Sequence, residues 1–205
     1  MSITQYYGGS SLAMMSKSAI VITADKRFGN QASTLHSNFT RLYQMTDKII
    51  LSLTGFVPDC QILFKTLRKH VNMFQLNQQR EIEPKEFTSL LSYILYSRRF
   101  MPYLVSPLIA GFDRNNSPHV YTMDLIGCVS THKDFASTGT AANNLTGISD
   151  VLYTGGDVED EDLFVTTMQA FLNAIDRNAL SGWGADAIIL TPHKRIHREV
   201  KTRQD

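Results

Sequence analysis

Along the first fifty positions the apolar residues fall in short runs separated by polar breaks. Residues 11–15 and 19–24 are two such runs. Ser16, Lys17 and Ser18 between them have the character of a turn, so the pair predicts two adjacent strands. "KIILSLT" at 48–54 predicts a third strand, closed by Gly55. The period then changes. Cys60, Leu63, Phe64, Leu67, Val71 and Phe74 recur at helical spacing, and Pro58 sits where a first turn tolerates proline. Phe87, Leu90, Leu91, Ile94 and Leu95 repeat that spacing after Pro84, and Arg98 and Arg99 suit the negative end of the helix.

Strand patterns return in "LVSPLIAGFD" at 104–113 and "PHVYTMDLIG" at 118–127, which flank the polar loop 114–117 as a hairpin. "DFASTG" at 134–139 predicts a short strand leading into a helix over 141–153. A fourth helix starts in the acidic cluster 159–162, which complements the positive end of its dipole. Phe164, Met168, Phe171, Leu172 and Ile175 form its stripe, and Gly182 and Gly184 end it. Two last strands, 185–191 and 195–203, pair across Pro192, His193 and Lys194. Helices come in blocks and do not alternate with strands. That order predicts an α+β fold of antiparallel sheets with helices segregated outside them. No linker or repeat divides the chain, so residues 1–205 read as one domain.

Composition narrows the function classes. A net charge of +1 gives no electrostatic footprint for nucleic acid or a membrane surface. No apolar run approaches the ~20 residues needed to span a bilayer, and the first residues lack a secretory pattern. The basic stretch "HKRIHREVKTRQ" alternates as one solvated strand face does. Cys60 and Cys128 lack disulfide-scaffold or metal-site spacing, so both are expected reduced, in cytosol or nucleus. His193 and His197 are four apart, but on a turn and a strand, and read as surface. The carboxylates at 159–162 lack the ligand pattern of a calcium loop. No metal or cofactor is expected.

Nine segments in order carry a resemblance over nearly the whole chain. They include "GGSSLAM", "SAIVITADKRFG", "YSRRFMPY", "PLIAGFD", "YTMDLIGC", "ASTGTA" and "DLFVTTMQAFLNAIDRNALSGWGA". The chain resembles proteasome beta-type subunits, members of the N-terminal-nucleophile hydrolases, and looks most like their type-3 branch. The resemblance implies a four-layer αββα sandwich: two stacked antiparallel sheets flanked by helices. It implies partners as well, namely other alpha and beta subunits, with two seven-membered beta rings between two alpha rings.

Active members of that family attack with an N-terminal threonine freed by cutting off a leader. A lysine lowers the pKa of the free amine, an aspartate holds the lysine, and a later Ser/Asp pair supports the amine. The resemblance places Asp25 at the aspartate, Gly9 at the threonine, Arg41 at the lysine, Asn178 at the supporting aspartate and Ser181 at its serine partner. Glycine has no attacking oxygen, and arginine stays protonated at any working pH. The expectation is a site that keeps its scaffold and lacks its chemistry, with residues 1–8 left uncut as a short extension. The rival expectation is a free-standing amidohydrolase using Ser2 or Ser10 after processing. A homomeric protease is a weaker rival, since it needs a nucleophile in every copy. The resemblance also implies that Asp124 and Cys128 face the cleft of the adjacent type-2 subunit and draw basic side chains to it. The bland alternative is a strand-end Asp beside a buried Cys.

Overall fold

Alternation along the strands sorts the apolar side chains into three cores. The computed structural model describes residues 2–204. In chain order, β1 (Ser10–Met15), β2 (Ile20–Asp25), β3 (Phe28–Asn30), β4 (Ser33–His36), β5 (Leu42–Gln44) and β6 (Ile49–Gly55) come first. They lead into α1 (Val57–Gln78) and α2 (Pro84–Tyr96). Strands β7 (Val105–Phe112), β8 (Pro118–Met123), β9 (Val129–His132) and β10 (Phe135–Gly139) follow. Helices α3 (Ala142–Leu152) and α4 (Asp160–Ile175) precede β11 (Ala185–Leu190) and β12 (Arg195–Val200).

One five-stranded sheet has the order β10-β1-β2-β11-β12 and the other β5-β6-β7-β8-β9, and every pairing is antiparallel. On β1, Leu12 and Met14 point to the layer of α3 and α4 while Ala13 points to the second sheet. On β6, Ile49, Leu51 and Leu53 face α1 and α2 while Ile50 faces the first sheet. A strand with both faces apolar must be covered on both sides, and three such cores stack as helices, sheet, sheet, helices. The four-layer α+β sandwich is therefore the observed fold.

The helices follow their sequence signals closely. In α1 the buried positions Cys60, Leu63, Leu67 and Val71 are those of the predicted stripe, and Phe64 and Phe74 lie partly buried beside it. Helix α2 opens on Pro84 with a capping box: the Glu86 side chain accepts the Glu83 N–H at 2.9 Å. In α4 three of the five predicted stripe positions are buried, and the stripe widens toward their N-terminal neighbours. Leu163, Ala170 and Ala174 are fully buried with Met168, Phe171 and Ile175, whereas Phe164 and Leu172 sit at its margin.

Two expectations are corrected. Residues 28–44 hold β3, β4 and β5, so the strand at Ile49–Gly55 is the sixth. The run 118–127 is not one strand. It ends at Met123, where Asp124 Oδ1 accepts the N–H groups of Ile126 at 3.0 Å and Cys128 at 2.8 Å. That side-chain turn reverses the chain into β9, which pairs back on β8.

Candidate functional site

The end of β2 and the start of β1 are neighbours in the first sheet, with Ser11 opposite Ala24. This register sets Gly9 and Ser10 beside Asp25. Asp25 is about as buried as a carboxylate can be, at 1 % exposure. Its Oδ1 accepts the Ser10 N–H at 2.9 Å, and its Oδ2 accepts the Gly182 N–H at 3.1 Å. Arg41, entering from the segment just before β5, places Nη1 3.3 Å from Asp25 Oδ1 and donates to the Asp25 carbonyl at 2.8 Å. Burial pushes the Asp25 carboxyl above its ordinary range, while the Arg41 charge and the surrounding backbone N–H groups draw it back down. The second guanidinium nitrogen donates to the carbonyls of Arg27 and, at 3.5 Å, of Gly8.

Gly9 lies against the face of this guanidinium. Its φ is +109°, a conformation that L side chains rarely adopt. A methyl group there would sit 2.6 Å from both Cζ and Nη2 of Arg41. Arg41 therefore fills the space that any side chain at position 9 would need. The main chain runs straight through: the Gly9 amide donates to the Leu180 carbonyl at 3.1 Å, and the Gly9 carbonyl accepts the Thr140 N–H at 2.9 Å.

A hydroxyl network completes the cluster. Ser10 Oγ lies 2.8 Å from Ser181 Oγ and accepts the Ala141 N–H at 2.8 Å. Thr140 Oγ1 lies 2.9 Å from Ser181 Oγ. The Asn178 side-chain amide donates to Thr140 Oγ1 at 2.9 Å and to Ser181 Oγ at 3.2 Å, and its oxygen accepts the Leu180 N–H at 3.0 Å. Gly9, Asp25, Arg41, Asn178 and Ser181 are thus joined in one hydrogen-bonded unit. Sequence reasoning missed two members. Thr140 sits at the exit of β10, where "STGT" reads only as a strand end. Arg27 is 1 % exposed and donates to Thr34, Leu180 and Gln31, partners that no local sequence pattern marks.

Chemically the unit holds no lysine, and its Ser10 hydroxyl is engaged. Ser10 is fully buried, its nitrogen is an amide engaged with Asp25, and its oxygen is held by Ser181 and Ala141. Ser2 is exposed and bonds Thr4 in a short turn over Ile3–Gln5, with no bond to Asp25 or Arg41. Neither serine is arranged as a nucleophile with a base beside it.

The other expected positions are apart from this cluster. Asp124 and Cys128 lie in the β8–β9 turn, and both are exposed; the buried-cysteine alternative does not describe Cys128. Cys60 is the buried one, and burial pushes its thiol up to about 12. His197 contacts Asp186 at 3.3 Å on the exposed face of β12, with His193 in the turn before it. Among the described residues no group of three or more His, Cys, Asp or Glu is placed to hold a metal, and no helix is long and apolar enough to cross a membrane.

The comparisons with known proteins agree with the geometry in one direction. A family model described as "Proteasome subunit" matches residues 6–190. The probable proteasome subunit beta type-3 of Schizosaccharomyces pombe is 42% identical over 205 residues, all of both chains. The beta type-3 subunit of Picea mariana is 39% identical over the same span. That of Saccharomyces cerevisiae is 40% identical over 199 residues, covering 97% of this chain and 96% of its own. Four layers, a self-filled site and end-to-end similarity lead to one conclusion: the chain belongs to the proteasome subunit family.

Proposed function

We propose that the chain is a non-catalytic wall subunit of the proteasome core, acting in ubiquitin-dependent protein degradation in cytoplasm and nucleus. It takes its place in one of two seven-membered beta rings between two alpha rings. The observation that supports this reading is the Arg41 guanidinium filling the side-chain space of Gly9. Neighbours that only orient a nucleophile cannot replace it, so the free-standing hydrolase using Ser2 or Ser10 is not favoured.

Its work is architectural. Tyr93, Tyr96, Phe100 and Met101 leave a large apolar surface uncovered at the end of α2, and Phe100 is fully exposed. Arg98 and Arg99 edge this patch. Obligate interfaces bury roughly 2,000–5,000 Å² and resemble a core cut in half; this patch supplies apolar surface of that kind for ring neighbours. The β8–β9 turn faces the cleft of an adjacent type-2 subunit. There Asp124 keeps one oxygen for its own turn and offers negative charge to basic substrate side chains.

A C-terminally tagged chain tests this. It is expected to co-purify with alpha and beta proteasome subunits and with their peptidase activity. Asp124→Asn is expected to lower cleavage after basic residues more than cleavage after apolar ones. Elution as a free monomer that hydrolyses peptides by itself would overturn the reading.

A further inference from the structure

Four connections meet at the end of the sandwich opposite Gly9. They are the β5–β6 turn, the α1–α2 link, the β7–β8 loop and the β11–β12 turn. The antiparallel register fixes this placement. Strand β11 starts beside Asp25 at Ala185 and ends beside Ile20 at Leu190, so its turn into β12 lies at the far end of the sheet. Two adjoining cavities open between the connections, of about 540 and 400 Å³. Lys48 and Glu81 line both; Lys194 and Arg195 line the larger, and Asp113 and Arg114 the smaller. The main chain braces the walls. The Phe112 N–H donates to the Lys48 carbonyl at 3.0 Å, the Thr191 N–H to the Lys194 carbonyl at 2.8 Å, and the Lys194 N–H to Thr191 Oγ1 at 3.0 Å.

Most carboxylates around this cleft are already engaged. Glu83 Oε1 takes Arg114 Nε at 2.7 Å, and the Glu83 side chain also accepts the Glu86 N–H. Both oxygens of Glu86 accept from Arg80, at 2.6 and 2.8 Å. Asp113 accepts the Ser117 N–H at 2.8 Å through one oxygen and faces His119 at 3.3 Å through the other. Two bonds from Arg198, with a smaller pull from the Lys194 charge, hold Glu161 below the ordinary carboxylate range. The donors are not used up in the same way. Arg114 enters its pair through Nε, which leaves both terminal nitrogens of the fork. Lys48 Nζ bonds the neutral Asn116 amide oxygen at 3.1 Å. Among the described residues neither Lys194 nor Arg195 forms an ion pair. Against them stand Glu81, exposed and in no ion pair, and Asp47, which gives one oxygen to Gln44 at 3.1 Å. The hydrogen-bonding capacity left over is mostly that of cationic donors, and it is spread over both lobes.

We propose that this cleft binds a small soluble polyanion carrying two or more phosphate groups. One group sits on Lys48 and the Arg114 fork, whose planar nitrogens match two phosphate oxygens at once. The other sits on Lys194 and Arg195. None of the exposed large apolar side chains lines either cavity, so the cleft offers a bilayer nothing apolar to bury. The ligand is therefore a free phosphate ester and not a lipid head group. The inference does not depend on the ring assembly proposed above, because every residue of the cleft belongs to one chain.

Isothermal titration of the full chain tests it, with tripolyphosphate as the probe and orthophosphate as the single-group comparison. Ionic strength is held fixed, so that screening is the same for both. Tripolyphosphate is expected to bind roughly tenfold or more tightly than orthophosphate, because a second group gains its own charge-assisted bonds. Lys48→Gln should weaken tripolyphosphate binding roughly tenfold. Glu81→Gln removes the opposing charge and should strengthen it. Thermal melts check that each variant is folded. Should Lys48→Gln melt early, Lys194→Gln, at an exposed turn position, is read in its place. No binding of tripolyphosphate, equal affinity for the two probes, or affinity unmoved by the lysine variant or by Glu81→Gln would each overturn the inference.

Discussion

Replacing Gly9 with alanine probes the candidate site at its narrowest point. The new residue must hold φ near +109°, which costs about 1–3 kcal/mol for a residue with a side chain. Its methyl would stand 2.6 Å from Arg41 Cζ. Relief requires the guanidinium to shift, and overpacking of this kind adds about 1–3 kcal/mol. The single change should therefore destabilise by roughly 2–6 kcal/mol. Arg41→Ala removes the partner of a buried carboxylate, at about 3–5 kcal/mol. Once Arg41 is gone, however, the methyl has room and only the backbone strain remains. The double variant should be more stable than the sum of the two singles by about 1–3 kcal/mol. Urea unfolding of the full chain, followed by circular dichroism, closes the cycle. Effects that add to within about 0.5 kcal/mol would refute the claim that Arg41 occupies the side-chain space of position 9.

Three further outcomes are expected. Gly9→Thr alone should give no peptide hydrolysis, because an arginine, not a lysine, stands beside position 9 and the guanidinium fills the space the new side chain needs; a measurable gain with a fluorogenic peptide would show the site to be misread. A maleimide at neutral pH should label exposed Cys128 in the folded chain and leave Cys60 unmodified until unfolding, since burial holds that thiol at about 12. The two hydrogen bonds from Arg80 hold the Glu86 carboxyl down at about 2, below its ordinary 4.5. A depressed carboxylate stabilises fully above the unfolded value and loses that contribution as pH falls toward about 2. The thermal midpoint should therefore drop more steeply between pH 4.5 and 2 in the native chain than in Glu86→Gln, and parallel curves would exclude this source.

Much of this architecture was readable because burial imposes period. The stripe of α1 and the strands β1, β2, β6 and β11 are apolar on the faces they bury, so their positions follow from spacing alone. Strands β4 and β9 left no such trace. They are four residues long, lie mainly exposed, and are carried by main-chain hydrogen bonds that any side chains permit. The β8–β9 break was hidden in "MDLIGC" because the turn is made by one side-chain oxygen of Asp124, a feature of position and not of polarity. At the candidate site, Asp25, Arg41 and Ser181 could be picked out by resemblance. The physical reason for Gly9 could not, since it depends on a guanidinium arriving from thirty-two residues further along the chain. Thr140 was invisible for the same reason: its partners Ser181 and Asn178 lie about forty residues away in sequence.

The central claim is that the chain passes unbroken and chemically idle through Gly9. Intact mass measurement of this subunit, from native complex treated with an inhibitor that requires a threonine hydroxyl and a free amine, tests it most directly. The account predicts a chain still carrying the residues before Gly9 and no adduct. A subunit beginning at Gly9 or Ser10, or one bearing the inhibitor, would contradict it.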